Sequence, residues 1–286
     1  MQNTHDSILD IAIRAALEAA KAIMQVYNGH FNTETKADGS PITLADKRAN
    51  DIICRHLSGS PWPIISEENK LADYAERKNW EHFWLVDPLD GTKEFIGRNG
   101  EFTVNIALIR EGEPVLGVIV APALNTAWFG STDIPLQVIH NTNALPNTSD
   151  DDFPAMLSKN AVQIQVPETR INNRVAVSRS HLDDKTKALV TKMSEHYQSI
   201  EMHPKGSSLK LCDLAAGESA FYPRFTPCYE WDTAAGHAIL RAAGGEIFSL
   251  ETQKPLRYNK RDLHNPSFIA FARKQDASHF FSQFSF

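Results

Sequence analysis

Apolar residues recur at helical spacing near the start of the chain. Ile8, Ile11, Ala15 and Ile23 fall on one face, with charged residues between them. A secretory leader has an uninterrupted apolar stretch, so this pattern predicts an amphipathic helix packed on a core. A second helix is predicted to begin at Thr43.

Short apolar runs follow, and two of them flank Glu-Gly-Glu-Pro at residues 111–114, which is a hairpin signal. The predicted strands of this half cover residues 64–65, 83–86, 103–109, 115–121 and 126–130. We therefore expect two helices over a largely antiparallel sheet.

The pattern changes in the second half, where predicted strands and helices alternate. The strands cover residues 174–177, 199–203, 219–222, 246–249 and 267–271, and the helices cover 182–193, 207–216 and 232–243. Alternation of this kind is typical of α/β structure. In a chain of 286 residues, we expect an N-terminal α+β domain over residues 1–168 and a C-terminal α/β domain over residues 169–286.

Composition and charge narrow the classes of function. The formal net charge of −6 gives no general attraction for nucleic acid or for anionic membranes. An anionic substrate would need a local positive centre, either a bound cation or a basic pocket.

Cys54, Cys212 and Cys228 are far apart, so their spacing suggests neither a disulfide framework nor a zinc site. No apolar run approaches the ~18 residues of a membrane span. We expect a cytoplasmic protein, with peripheral association at the inner membrane face as the alternative.

The most informative segment is Asp87-Pro-Leu-Asp-Gly-Thr92, which follows an apolar run directly. We expect a tight turn that brings Asp90 beside Asp87 and exposes the Leu89 carbonyl, although an ordinary surface turn is the alternative. Two adjacent carboxylates repel each other unless one takes a proton, and a hard cation such as Mg²⁺ removes that conflict.

Two more acidic residues lie at the ends of predicted elements. Glu67 follows the run at residues 64–65, and Asp232 opens the predicted helix at 232–243. Asp232 could be an ordinary first-turn residue that the helix dipole favours. The same helix end offers backbone N–H groups to a phosphate. Together, the acidic residues at the ends of these three elements indicate one metal centre.

These motifs resemble the signatures of the inositol monophosphatase superfamily, the Mg²⁺-dependent and lithium-sensitive phosphatases. Residues 87–92 match D-P-[IL]-D-G-T, and residues 231–236 match W-D-x-[AT]-A-[AG]. The G-E-E element appears at residues 66–68 with Ser66 in place of glycine. The resemblance covers essentially the whole chain and implies a layered αβαβα sugar-phosphatase fold.

The resemblance implies two or three Mg²⁺ ions, with Mn²⁺ as the alternative cation. The implied metal ligands are Glu67, Asp87, the Leu89 carbonyl, Asp90 and Asp232.

It also implies that Thr92 and Asp46 are catalytic and that they orient and deprotonate a metal-activated water, which attacks phosphorus in line without a phosphoenzyme. Thr43-x-x-Asp46 is also a capping box, so Asp46 could serve the helix start, the chemistry, or both. Lys36 could balance charge near the metals or be a solvated loop residue.

Three further motifs resemble bacterial 3′(2′),5′-bisphosphate nucleotidases: V-S-R-S-H at 177–181, G-S-S-x-K at 206–210 and Y-P-R at 222–224. A substrate with two phosphates needs an anion site away from the metals, and Lys210 and Arg224 suit that role. The substrate contacts that the resemblance implies are Glu67, Leu89, Asp90, Gly91, Thr92, Ser178, His181, Ser207, Lys210, Arg224 and Asp232.

Several of these residues have a purely structural alternative. Ser180 and Asp183 form a capping-box pattern, so His181 could be a first-turn residue. Lys210 could be an exposed helix lysine, and Arg224 a surface charge. The expected function is hydrolysis of adenosine 3′,5′-bisphosphate, a by-product of sulfate assimilation, to AMP and phosphate. The near alternative is an inositol or sugar phosphatase, and the distant one is a non-catalytic metal- or nucleotide-binding protein.

Overall fold

The computed structural model describes residues 4–35, 41–146, 149, 152–164, 173–197 and 200–284. Lys36 and the predicted domain boundary at residues 168 and 169 lie outside the described residues. The described helices and strands stack in five layers, in the order helices, sheet, helices, sheet, helices. This arrangement confirms the αβαβα fold that the sequence motifs imply.

Two long helices form the first layer: α1 spans Thr4–Tyr27 and α2 spans Leu44–Leu57. Between them, the short strands β1 (Thr33–Thr35) and β2 (Pro41–Thr43) pair antiparallel. The apolar faces of both helices pack on one side of a large sheet, as their helical periodicity predicts.

Among the described residues, that large sheet contains seven strands in sequence order. They are β3 (Ile64–Ser66), β4 (His82–Asp90), β5 (Thr103–Arg110), β6 (Glu113–Ala121), β7 (Thr126–Ser131), β8 (Gln137–His140) and β9 (Ala161–Gln163). β3 and β4 are parallel, and the later pairs are antiparallel, which confirms the β5–β6 hairpin. Short helices lie in the connections: α3 (Tyr74–Arg77), α4 (Thr92–Ile96) and α5 (Phe153–Asn160).

In the part of the chain that the structure describes, the second sheet has five strands in the order β11-β10-β12-β14-β13. Their bounds are Arg174–Ser178 for β10, Glu201–Lys205 for β11, Phe221–Arg224 for β12, Glu246–Ser249 for β13 and Phe268–Phe271 for β14. The helices of this half are α6 (Asp184–His196), α7 (Leu209–Ala215), α8 (Glu230–Ala242) and α9 (Asp276–Gln283).

Helices α7 and α8 fill the layer between the two sheets, and α6 and α9 cover the outer face of the second sheet. Gly117 of β6 lets α8 lie directly on the first sheet, because a Cβ at this position would collide with the Ala235 carbonyl. This close packing fixes the N-terminus of α8 against the strand ends. Within the described residues, no helix is both long and apolar enough to cross a membrane.

The prediction of a tight turn after Asp87 was wrong. β4 continues through Asp90, and its register with β5 shifts between these two residues. Asp87 pairs with Asn105 and Asp90 with Thr103, so the β4 side holds one extra residue, which is a β-bulge. Pro88 lies in this bulge, where its missing N–H is tolerated. The bulge, and not a turn, brings the two carboxylates together.

Candidate active site

One cleft collects polar side chains from both halves of the chain. The residues that line it are Glu67, Asp90, Gly91, Thr92, Lys93, Glu94, Ser178, His181, Ser207, Ser208, Lys210, Leu211, Tyr222, Arg224, Asp232 and Thr233. Every expected substrate contact except Leu89 is among them. The fold therefore brings together expected substrate contacts that are up to 165 positions apart, from Glu67 to Asp232.

Three carboxylates cluster at the cleft: Asp90 and Asp232 line it, and Asp87 is buried beside them. Asp87 and Asp90 lie on either side of the β4 bulge, and Asp232 lies in the first turn of α8. Each offers one oxygen, and these oxygens all lie within 4.8 Å of one another. Oxygen atoms so arranged are the donor set that a hard divalent cation prefers.

The electrostatics of these carboxylates also fit a cation. Burial raises the pKa of Asp87 well above its usual range, and the charges of Glu67, Asp90 and Asp232 raise it further. Burial and Asp90 raise the pKa of Asp232 to about 8. Burial raises the pKa of Asp90 to about 6, although Lys210 opposes this shift. A cation among the three groups would offset both the burial cost and the mutual repulsion.

Backbone and amide donors orient the three carboxylates. The Leu89 N–H donates to Asp87 Oδ1 at 3.0 Å, and the Tyr229 N–H donates to Asp232 Oδ2 at 3.0 Å. Asn105 Nδ2 donates to Asp90 Oδ2 at 3.4 Å. Each of these bonds engages one carboxylate oxygen, so the other can face a ligand.

Glu67 lines the same cleft from the end of β3 but is not one of the three mutually close carboxylates. Its backbone N–H donates to the Val86 carbonyl, which ties it to β4. The preceding Ser66 is fully buried, and its hydroxyl donates to Asn50 Oδ1 at 2.7 Å. Serine in place of the motif's glycine therefore adds a link to α2, and Glu67 lines the cleft.

Thr92 and Asp46 meet beside this centre. Gly91 has a φ of 90°, which glycine adopts without strain, and α4 begins at Thr92. The Thr92 hydroxyl lies 3.5 Å from Asp46 Oδ1 and 3.5 Å from the Leu89 carbonyl. Asp46 Oδ2 accepts the backbone N–H of Thr43, which completes the predicted capping box. Asp46 therefore does cap the start of α2, as the structural alternative predicts, and its other oxygen, Oδ1, faces Thr92.

Two cations face the carboxylates across the cleft. Lys210 is buried, and its Nζ donates to the carbonyls of Lys205 and Ser207, so the alternative of an exposed helix lysine is wrong. Burial lowers the pKa of Lys210 to about 8, and the charge of Arg224 contributes to this shift. Arg224 Nη1 donates to the Tyr222 hydroxyl at 3.1 Å, and the Lys210 ammonium lies 5.4 Å from the centre of the Tyr222 ring. Tyr222 thus contacts both cations.

His181 lies at the rim of the cleft. The capping-box alternative for this segment is wrong, because Asp183, and not Ser180, caps α6. The His181 backbone N–H donates to Ser178 Oγ at 3.1 Å, and its Nε2 lies 3.1 Å from Lys93 Nζ. Burial and the charge of Lys93 lower the pKa of His181, which favours a neutral ring.

Comparison with known families agrees with this geometry. The model of the inositol monophosphatase family matches residues 4–285. The chain belongs to this family. Among curated proteins, 3′(2′),5′-bisphosphate nucleotidase CysQ of Escherichia coli K12 is 41% identical over 268 residues, covering 91% of this chain and 98% of that protein.

Solved structures of family members share the fold. CysQ from Bacteroides thetaiotaomicron superposes with a TM-score of 0.84 at 39% identity, covering 96% of this chain and 98% of that one. Inositol monophosphatase from Anabaena has a TM-score of 0.70 at 22% identity, covering 98% of this chain and 97% of that one, and so supports the fold alone.

A clamp joins the two halves of this inositol monophosphatase family member beside the cleft, and the motifs did not indicate it. Arg179 donates from Nε and Nη2 to the two carboxylate oxygens of Glu101, at 2.7 and 2.8 Å. Glu101 also accepts the Gly206 N–H at 2.7 Å, and Ser180 donates to Glu94 in the cleft. Arg179 and Ser180 belong to the V-S-R-S-H motif, so the sequence indicated one side of these contacts. Their acidic partners, Glu101 and Glu94, lie about 80 residues earlier in the chain and belong to no recognisable motif.

Proposed function

We propose that the chain is a Mg²⁺-dependent 3′(2′),5′-bisphosphate nucleotidase that hydrolyses adenosine 3′,5′-bisphosphate to AMP and phosphate. The observation that carries the proposal is the position of Lys210 and Arg224, which line the same cleft as the carboxylates. A monophosphate requires one anion site, whereas a bisphosphate requires a second site with cationic donors. The names of the CysQ relatives support the same substrate.

The proposed cation ligands are Glu67, Asp87, the Leu89 carbonyl, Asp90 and Asp232, for two or three Mg²⁺ ions, with Mn²⁺ as the alternative. When bound, Mg²⁺ supplies a Lewis acid that stabilises charge on the phosphoryl oxygens. The bulge in β4 carries Asp87 and Asp90, and the first turn of α8 carries Asp232.

Thr92 and Asp46 are proposed to activate water. The water passes its proton to Thr92 Oγ1 as the Thr92 hydroxyl proton moves to Asp46 Oδ1, 3.5 Å away. The water oxygen then bonds to phosphorus in line with the ribose 3′-oxygen, whose bond to phosphorus breaks. The released 3′-oxygen takes up a proton from solvent, which gives AMP and inorganic phosphate.

The second phosphate is proposed to lie against Lys210 and Arg224. A lysine ammonium has three N–H donors. Lys210 uses two of them on the carbonyls of Lys205 and Ser207, and the described residues include no third acceptor for it, so one donor is available to an anion in the cleft. Ser178, His181 and Ser207 are proposed to contact the nucleoside, and the backbone at Gly91 the scissile phosphate.

This assignment also predicts lithium inhibition, a role in sulfur metabolism and a cytoplasmic location. We retain residues 1–168 and 169–286 as the proposed domains. The first would supply most of the acidic residues, and the second would supply Asp232 and the cationic groups.

The test is phosphate release from adenosine 3′,5′-bisphosphate, inositol 1-phosphate and fructose 1,6-bisphosphate, with Mg²⁺, with EDTA and with added Li⁺. We expect Mg²⁺-dependent, Li⁺-sensitive release with a strong preference for the nucleotide. A preference for inositol or sugar phosphate would keep the carboxylate centre and overturn the substrate assignment. No release from any of the three would favour a non-catalytic role.

A further inference from the structure

A second group of metal-ligating side chains lies outside the cleft. His203 of β11, Asp213 of α7 and Glu218 of the following loop each offer one ligand atom, and these atoms lie within 4.8 Å of one another. None of the three residues lines the cleft. The widely spaced cysteines pointed away from a zinc site, and this group contains no cysteine.

Two of these atoms are buried and lack a hydrogen bond. His203 Nε2 and Asp213 Oδ2 are shielded from solvent, and neither has a hydrogen-bond partner within the described part of the chain. Asp213 as a whole is only 8% exposed. A carboxylate oxygen buried in this way costs free energy unless a donor or a cation satisfies it.

The separation of these two atoms fits ligands of one small cation. His203 Nε2 and Asp213 Oδ2 lie 3.2 Å apart. Two ligands at Zn²⁺–N and Zn²⁺–O distances of ~2.0–2.1 Å in tetrahedral geometry are separated by about 3.3 Å. Glu218 approaches from the exposed side, and its backbone N–H donates to the Asp213 carbonyl at 2.8 Å, which holds the loop beside the other two.

A lysine also approaches the Asp213 carboxylate. Lys205 Nζ lies 3.7 Å from Asp213 Oδ1, the other carboxylate oxygen, so Oδ2 still faces His203.

We propose that His203, Asp213 and Glu218 form a binding site for a transition-metal cation of the Zn²⁺ class, separate from the carboxylate centre of the cleft. One imidazole nitrogen and two carboxylate oxygens suit Zn²⁺ or Co²⁺ better than Mg²⁺, and water would complete the coordination. The cation would fasten β11 to α7, the helix that carries Lys210. The Lys205 carbonyl of β11 accepts a hydrogen bond from Lys210 at 3.2 Å, so the site braces one wall of the cleft.

The test is a Co²⁺ titration of the full chain in excess Mg²⁺, followed by visible absorption, with Zn²⁺ as competitor. We expect one Co²⁺ per chain with the strong band of four-coordinate Co²⁺, displaced by Zn²⁺. His203→Ala and Glu218→Gln should each weaken Co²⁺ binding about tenfold or more. His264→Ala, which alters a surface histidine–carboxylate pair with Asp262, is the matched control and should leave binding unchanged.

Thermal unfolding gives an independent readout. Saturating Zn²⁺ should raise the Tm of the wild type by about 5 °C and that of Glu218→Gln by much less. Glu218 is exposed, so this variant should fold even if His203→Ala does not. Absence of the Co²⁺ band in the wild type, or equal metal binding in the wild type and Glu218→Gln, would overturn the proposal. Repetition in an Asp87→Asn background separates the result from binding in the cleft.

Discussion

The Thr92 hydroxyl lies 3.5 Å from Oδ1 of Asp46, while Oδ2 of the same carboxylate accepts the backbone N–H of Thr43 at 2.7 Å. One side chain thus caps the start of α2 with one oxygen and faces the proposed water-activating hydroxyl with the other. The cap fixes the direction of the carboxylate, so helix formation and the geometry of the site depend on the same residue.

The contact between Thr92 and Asp46 predicts that the Thr92 hydroxyl is required for turnover. Thr92→Val removes the hydroxyl and keeps the shape, so kcat should fall by about 10²–10⁴-fold. Thr92→Ser restores the hydroxyl and should recover most of the activity. Steady-state kinetics and a Mg²⁺ titration would check both variants, with an unchanged Mg²⁺ requirement expected. If Thr92→Val keeps more than about a tenth of wild-type kcat, the proton path through Thr92 is incorrect.

The raised pKa values of the carboxylates predict opposite effects on stability and activity. Asp90→Asn removes a charge that burial disfavours, so the variant should unfold at a higher temperature than the wild type in EDTA. In Mg²⁺ it should lose about 10³-fold or more in turnover and most of the Mg²⁺-induced rise in Tm. Asp133→Asn, at an exposed loop position, is the control and should change neither quantity. Wild-type turnover in Asp90→Asn would exclude Asp90 as a ligand.

A buried pair that joins α8 to β13 predicts how the stability of the protein depends on pH. His237 Nε2 contacts Glu246, and its Nδ1 lies 2.8 Å from the Tyr258 hydroxyl. Burial lowers the pKa of His237 from 6.5. Burial alone would raise the pKa of Glu246, but the hydrogen bond from His237 and the charge of Arg241 bring it below its ordinary value.

Both groups bind fewer protons in the folded state than in the unfolded state at acidic pH. The contribution of His237 to stability is therefore present above pH ~6.5 and that of Glu246 above pH ~4.5, and each is lost as the pH falls towards the folded-state pKa of that group. Thermal unfolding from pH 7.5 to 5 should show a smaller decrease in Tm for His237→Gln, which keeps the hydrogen-bonding pattern without a titrating ring. Identical pH profiles for the two proteins would contradict this linkage.

Local sequence patterns predicted the main elements well where periodicity was strong. The apolar stripe from Ile8 to Ile23 became α1, and the capping box at Thr43 marked the start of α2. Short elements were missed: β8 precedes the polar stretch at residues 141–152, and α5 and β9 follow it. Pairing with neighbouring strands, and not local propensity, determines β8 and β9.

The candidate site could be predicted only as a set of residues, since their arrangement depends on packing between distant segments. The motif at residues 87–92 indicated paired carboxylates, but the bulge depends on pairing with Asn105 and Thr103 across the strand. Asn105 itself, which contacts Asp90 and accepts a hydrogen bond from Ser208, has no signal in the sequence. The same is true of Glu101, whose partner Arg179 is 78 positions away.

Lys210 tests the central claim, that one cleft joins a carboxylate centre to a site for a second phosphate. The decisive measurement is kcat/KM for adenosine 3′,5′-bisphosphate and for adenosine 3′-phosphate, which differ only in the second phosphate, in the wild type and in Lys210→Met. Lys187→Met, on the exposed side of α6, is the matched control, and Tm values show whether each variant is folded.

We predict that the wild type prefers the bisphosphate and that Lys210→Met reduces this preference by about 10–100-fold, with little loss on the monophosphate, because a charged hydrogen bond of ~1.5–3 kcal/mol to the second phosphate is removed. Equal losses on the two substrates would contradict the account, because Lys210 would then support the fold or the carboxylate centre and would not recognise the second phosphate.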